Sequence, residues 1–409
     1  MNLNFNKKFI AVNLIYFFPI AYVIGPFTAD LSITCIGLLY IASIYNKISL
    51  LKFEKYFISL IIFWILAIFS SIINLQYSYE SLGRSITFLR FIILIMAIQF
   101  FIDSDSKIKK FTIISIITLS IVGVDLFIQS VTSYNLLGFR LQQLNPLNEN
   151  IYLRPSGFFR EELIAGSYFL YFSIIIIFST YHLKFNKIEI KKIYQILILF
   201  IPFFILLAGE RMSILYLFGI IVITLIFSFK LKIINKFFLK YKVAIIAITF
   251  TTIVFLFLFA PKLINRFDFI FNMDLKNCSP DYLCLFESAF KIYIENPLFG
   301  VGLKNFREVC DMIGSVCSSH PHNLYFELLS ETGSIGFSVF IIFIIFLYKN
   351  IIQQKSINNE YFFFGIIIIF AFFWPFSAGR SYFSNYNASL IWFNLGMAIA
   401  IFNLSSRKS

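Results

Sequence analysis

Two of the chain's three histidines stand one residue apart in His320-Pro321-His322-Asn323-Leu324-Tyr325-Phe326-Glu327, with Glu331-Thr332-Gly333 close behind. A neutral imidazole near pH 7 is the ordinary general base for taking a proton from a hydroxyl. His322 and its neighbour His320 are therefore candidates for that work, with Asn323 and Glu327 in support. Interfacial histidines satisfied by water are the plainer reading of such a segment. No metal is expected, because His-x-His supplies two ligands and the sequence offers no clear third.

Two other segments supply charge. In Leu207-Ala208-Gly209-Glu210-Arg211-Met212-Ser213 an acid and a base interrupt an apolar stretch, and ionisable groups at such a depth point to function. A tight turn neutralised by Glu210 and Arg211 is the alternative, since adjacent residues do not face each other on a helix. Arg154-Pro155-Ser156-Gly157-Phe158-Phe159-Arg160-Glu161-Glu162 sets two arginines among small and aromatic residues. Guanidinium forks hold phosphate bidentately and aromatic faces carry sugar rings. Alone, this segment reads as a solvated loop. Together the three supply cations, a base and aromatic surfaces, a set that suits an anionic, sugar-bearing lipid.

The elements that must position these residues follow from composition. The 409 residues are 59% hydrophobic, 20% aromatic and only 13% charged, with mean hydropathy +0.84, whereas soluble domains carry about 25% charged residues. Lipid is the solvent of such a chain. Its apolar blocks are long enough for helices that cross about 30 Å of hydrocarbon and satisfy their own backbone bonds there. The expected fold is an all-α polytopic membrane protein of about 12 transmembrane helices, near 9–26, 29–45, 56–75, 83–102, 111–131, 163–182, 194–209, 212–229, 243–260, 335–348, 362–378 and 388–404. Nine spans fall in 1–260, with a short periplasmic segment at 132–162. The stretch 261–334 is a large periplasmic loop, and 335–409 holds the last three spans. Met1 to Lys8 resembles the start of a signal peptide, but no small-x-small cleavage pattern follows, so it is expected to begin an uncleaved first helix.

Charge orients the bundle. The N-terminus, 46–55, 103–110, 183–193, 230–242, 349–361 and the C-terminus hold 21 of the 34 basic residues, which makes both termini cytoplasmic by the retention of positive charge on that side. The net charge of +13 is thus a matter of membrane orientation, and no nucleic-acid partner is expected. Lysine and arginine partition differently. Of the cytoplasmic basic residues only Arg407 is an arginine, while Arg84, Arg90, Arg140, Arg154, Arg160, Arg211, Arg266, Arg307 and Arg380 lie outside or within the membrane. Snorkelling toward headgroups explains some of these, and phosphate binding is the alternative for others.

Four of five cysteines, Cys278, Cys284, Cys310 and Cys317, fall in the 261–334 loop, and Cys35 lies in a span. This clustering fits an oxidising compartment. The local pairings Cys278–Cys284 and Cys310–Cys317 are favoured over a zinc site, for which neither pair has C-x-x-C spacing. A loop of this length should contain helices. Tyr282 to Glu295 has helical spacing suited to the membrane surface, ended by Pro297, Gly300 and Gly302. Gly300-Val301-Gly302 lacks the strand and the remaining glycine of a nucleotide loop.

The segment His320 to Tyr325 with Glu331-Thr332-Gly333, preceded by Glu295-Asn296-Pro297-Leu298-Phe299-Gly300-Val301-Gly302, resembles the O-antigen ligase-related family of bacterial envelope glycan ligases and polymerases. Arg154 to Phe158 and Gly209-Glu210-Arg211 are similar to that family's other characteristic stretches. The resemblance implies a membrane-embedded, glycosyltransferase-C-like enzyme that is inverting and independent of metal or other cofactor. Its donor would be a glycan on undecaprenyl diphosphate, and its acceptor a hydroxyl on lipid A-core or another glycan, joined at the periplasmic face of the inner membrane among membrane lipids. By the same resemblance His322 is the base, and Arg154 and Arg211 hold the diphosphate. Family members often carry an arginine near the start of the loop helix, shortly before the positions of Phe286 and Glu287, where this chain has Tyr282 or its neighbours. Arg160, Arg266 and Lys291 are candidates for the missing charge. Ligase and polymerase share donor and chemistry, so both readings stay open. A lipid-linked glycan transporter, the rival of another class, would call for more deep ionisable residues than Arg90, Asp125 and Asp30.

Overall fold

The computed structural model describes residues 2–45, 54–143, 153–183, 200–231, 281–314, 317–353, 359–376 and 379–406. The expected span 243–260, the loop's first part with Arg266 and Cys278, and most of the lysine-rich connections lie outside the described residues.

Among the described residues the chain is all-α apart from one two-residue strand pair. In order come α1 (Asn2–Ile24), α2 (Pro26–Ile44), α3 (Lys55–Ile73), α4 (Tyr79–Phe101), α5 (Asp105–Thr132), β1 (Gln142–Gln143), β2 (Leu153–Arg154) and α6 (Ala165–His182). A helix over 200–208, α7, precedes α8 (Arg211–Leu231). Then follow α9 (Asp281–Glu295), α10 (Phe306–Met312), α11 (Leu324–Gln353), α12 (Asn359–Phe373) and α13 (Asn385–Ser406). Among the described residues seven helices are long and apolar enough to cross a membrane, namely α1 to α5, α11 and α13. Arg211–Phe227 and Tyr361–Phe373 are shorter apolar helices. Polytopic α-helical architecture follows directly, because a backbone without water must bond within its own segment.

The last helix is the centre of the bundle. Ala388, Trp392, Phe393, Leu395, Met397, Ala398 and Ile401 are all fully buried, against α4 and α6. A Cβ placed on Gly396 would lie 3.3 Å from the Ile95 Cα, the close helix approach that small residues permit in membranes. Trp392 satisfies its indole nitrogen on the Tyr382 carbonyl at 3.1 Å. Elsewhere α4 starts at Ser78, whose hydroxyl accepts from the Glu80 amide at 3.1 Å, an N-cap.

Two ends of the bundle can be told apart. α6 begins beside Glu210, which binds the Ser167 amide, and finishes with His182 bonded to Asp105 Oδ1 at 3.1 Å and to the Tyr361 hydroxyl at 2.9 Å. Fifteen helical steps separate Ser167 from His182, roughly 22 Å at 1.5 Å each. At the His182 end, between α4 and α5, Asp103 pairs with Lys8 and Lys107, both at 2.7 Å.

The glycine motifs serve a backbone interlock. α11 runs through Gly333, whose φ of 64° and ψ of −171° are not helical. There the chain meets 297–302 in a short ladder: Val301 donates to Ser330 O at 3.0 Å, Gly302 to Glu331 O at 2.8 Å, and Ser334 to Pro297 O at 2.8 Å. α3 clamps both strands of the ladder, since the Ser70 hydroxyl reaches Phe299 O and Glu331 O and the Asn74 amide reaches Gly300 O. A Cβ on Gly300 would collide with the Glu331 carbonyl carbon, and one on Gly333 with that of Leu298. Both glycines also have φ near 65°, which favours glycine. Gly333→Ala is expected to cost about 1–3 kcal/mol through overpacking, with a lowered melting temperature in detergent as the measurement. An unchanged melt would remove the interlock as a structural requirement.

Candidate functional site

A cavity of about 230 Å³ lies at the Ser167 end of α6, lined among others by Arg154, Glu210, Arg211, Tyr282, His320, His322 and Arg380. Residues more than 200 positions apart in sequence thus share one space.

Glu210 is its anchor. Gly209, at φ 61°, ends α7, and Glu210 follows in the turn before α8. Its Oε2 accepts from the Ser167 amide at 2.6 Å, and its Oε1 accepts from the Ser167 hydroxyl at 2.6 Å and from Arg380 Nε at 3.1 Å. A carboxylate at the first turn of α6 completes amides that the helix leaves unpaired and sits at the positive end of its dipole. Gly166 makes room, since a Cβ there would lie 2.7 Å from the Glu210 Cβ. Burial pushes the Glu210 pKa up, but Arg380, Arg154 and the Ser167 donors outweigh it and hold the carboxyl below its usual value. An ionised, fully engaged carboxylate binds cations in place and is not available as a base.

The strand pair places Arg154, with Gln142 opposite it. The next turn is held by Gln129, whose Oε1 accepts from the amides of Ser156 and Gly157 at 2.8 and 2.6 Å. Arg154 is buried, with Nε donating to Ala208 O at 3.0 Å and Nη2 to Leu163 O at 3.4 Å. Burial, with Arg380 and Arg211 nearby, lowers its pKa, and Glu210 opposes this. A guanidinium keeps its charge under such pressure.

The histidines reach the cavity from the connection before α11. Pro321 biases His320 toward an extended backbone, and His322 then takes a φ of 60°, a left-handed conformation that costs energy for a residue with a side chain. The two imidazole centroids are 4.1 Å apart. The His322 ring stands edge-on to Tyr282 at 5.4 Å, and its Nε2 is 3.4 Å from the Ser318 hydroxyl. Burial, then Arg380 and Lys304, lowers the His322 pKa. His320 falls well below 6.5 through burial, His322 and Lys304. Both rings are neutral near pH 7 and can accept a proton.

The supporting residues take structural parts. Asn323 caps α11, its Oδ1 accepting from the amides of Tyr325 and Phe326 at 2.9 and 3.2 Å while its Nδ2 donates to Pro375 O at 2.7 Å. Glu327 is buried behind the cavity wall, accepting from the Ser381 hydroxyl at 2.5 Å with Lys304 Nζ 3.6 Å away. Lys304 also donates to Ser319 O at 3.2 Å, so Glu327 and Lys304 tie the histidine segment to that of Arg380. Three tyrosines satisfy the last carbonyls of α12: Tyr171 on Ala371, Tyr382 on Phe372 and Tyr325 on Phe373.

Arg160 does not join the others. It is exposed at φ 57° and its guanidinium stacks 5.2 Å over the Phe139 ring, outside the cavity lining. Arg380 and Lys304 are the residues that sequence reasoning had not singled out for the site. Arg380 was visible only as one more arginine away from the lysine-rich connections. Cys310 and Cys317 form a disulfide that closes the loop just before His320. Cys284 is also disulfide-bonded, its expected partner Cys278 lies outside the described residues, and Cys35 is free.

Fold and site define a multi-pass membrane protein that, among its described residues, gathers three guanidiniums, one carboxylate and two neutral imidazoles around one cavity at one end of its bundle. Residues 196–341, just over a third of the chain, match the family model described as O-Antigen ligase. The matched segment holds Glu210, Arg211, His320, His322 and Glu327. No curated protein matches the sequence.

Proposed function

We propose that this protein transfers a glycan from undecaprenyl diphosphate to a hydroxyl of lipid A-core or another glycan, at the periplasmic face of the inner membrane. The observation that carries the reading is the convergence of Arg154, Arg211 and His322 on one cavity. The acceptor oxygen attacks the anomeric carbon of the donor sugar while His322 takes the hydroxyl proton. The bond from that carbon to the diphosphate oxygen breaks, and its electron pair leaves on the diphosphate. Arg154 and Arg211 neutralise the charge that develops there, an effect strengthened away from bulk water. Attack from the face opposite the leaving group inverts the anomeric centre. The released proton passes from the His322 imidazolium to water.

Orientation supports this site for a lipid-linked donor. The cavity is at the opposite end of the bundle from the Lys8, Asp103 and Lys107 cluster, and retained lysine marks the cytoplasmic side. The test uses purified protein in vesicles with a lipid-linked glycan and a defined acceptor lipid. Glycan on the acceptor is expected for a ligase, and lengthened glycan on the carrier for a polymerase. The absence of both products would refute transferase function.

A further inference from the structure

We propose that Arg380 binds the donor's diphosphate as the third arm of a guanidinium cradle, in which Glu210 is the counter-anion while the site is empty. The proposal rests on the diphosphate reading above and adds a residue that lies beyond the matched segment.

Charge balance is the first argument. Arg154, Arg211 and Arg380 line the cavity, and among its described lining residues Glu210 is the sole carboxylate. Three guanidiniums against one carboxylate leave two positive charges over, which equals the charge of a diphosphate diester. Geometry is the second. Arg380 Nη2 and Arg154 Nη2 donate to the same carbonyl, Leu163 O, at 2.7 and 3.4 Å, so two like charges are held side by side. Such a pair is costly without an anion. Glu210 can meet only part of that need, because it already binds the Ser167 amide and hydroxyl.

Accessibility is the third argument. The Arg380 side chain is 29% exposed against 10% for that of Glu210, and among the described residues its Nη1 has one contact, 3.4 Å to Asn387. That end of the fork is free to meet a phosphate oxygen. Ser381, the next residue, binds Glu327, and Lys304 links Glu327 to the histidine segment. A phosphate drawn onto Arg380 is therefore held by the same connection that braces His322.

The test is calorimetric titration of inorganic pyrophosphate into the purified full chain in lipid nanodiscs. Arg380→Ala and Arg380→Gln are expected to weaken binding about 10-fold or more, the weight of a charge-assisted bidentate contact. Arg140→Ala, which removes an exposed arginine stacked on Tyr134, is expected to leave binding unchanged. Glu210→Gln should strengthen it by removing the competing anion. Should Arg380 serve only to neutralise Glu210, the double variant Glu210→Gln with Arg380→Gln would bind like Glu210→Gln alone, and that result overturns the proposal. So does wild-type affinity in Arg380→Ala. Where that variant fails to insert, Arg380→Lys, which keeps the charge without the fork, is expected to bind several-fold more weakly, and equal binding overturns the proposal. If the wild type itself binds neither pyrophosphate nor a polyprenyl diphosphate, the donor reading falls first and Arg380 with it.

Discussion

His322→Ala is expected to lower glycan transfer by roughly 10²–10⁴-fold, the usual contribution of a positioned general base, in protein that still inserts and melts as the wild type does. The second half of that expectation comes from packing. The ring is half-buried, touches Tyr282 edge-on and makes one long contact to Ser318, so its removal leaves no large cavity. Backbone strain at φ 60° is a complication for alanine, and His322→Asn removes it, because asparagine tolerates the left-handed region. Both variants should lose transfer alike. The pH profile gives a second readout. Burial, Arg380 and Lys304 hold the His322 pKa below 6.5, and only the neutral ring can accept a proton. Transfer should therefore stay level as pH falls through 7 and decline only below 6.5. Removing Arg380 takes away one of the charges that disfavour the imidazolium, so the declining limb of Arg380→Gln should move to higher pH. Lys304, His320 and Tyr282 also face the ring and remain in that variant. Undiminished transfer by His322→Asn would take the residue out of the mechanism.

The sequence made the helices readable for a reason external to the protein, the fixed thickness of a bilayer. That constraint gave blocks of apolar residues whose positions depend little on tertiary contacts, as for α1 to α5 and α13. The site was readable where charge or imidazole interrupts such a block, and the structure gathers Arg154, Glu210, Arg211, His320 and His322 in one cavity. It was unreadable where the partner is distant. Arg380 and Glu210 are 170 residues apart, and no local pattern connects them. Arg160 shows the converse. Six residues from Arg154, it seemed a natural companion, yet the left-handed turn at φ 57° carries its side chain over Phe139. Gly300 was visible as a breaker of a helix and Gly333 as part of the Glu331-Thr332-Gly333 segment, but their reason is a collision between two backbones that spacing along one segment cannot reveal.

Arg154→Lys is expected to cut kcat for transfer by about 10²–10³-fold, the effect of removing one preorganised donor from a developing negative charge, a larger effect than the rise in donor KM that follows from weakening one arm of the cradle. The substitution keeps the formal charge, so the loss comes from shape and from environment. Arg154 spends Nε on Ala208 O and aims the rest of its fork past Leu163 O into the cavity. A single ammonium cannot hold the backbone and face the leaving group at once. Burial and the neighbouring Arg380 and Arg211 also disfavour positive charge here. A guanidinium resists that pressure, whereas a lysine in the same position readily gives up its proton. Neutralised at neutral pH, it would leave Glu210 with Arg380 as its remaining close cation and the departing diphosphate with one fewer. Charge on the leaving group grows as the glycosidic bond breaks, so the larger defect should fall on kcat. A variant with wild-type kcat and raised KM would instead make Arg154 a residue of ground-state binding, and the assignment of transition-state stabilisation would pass to Arg211.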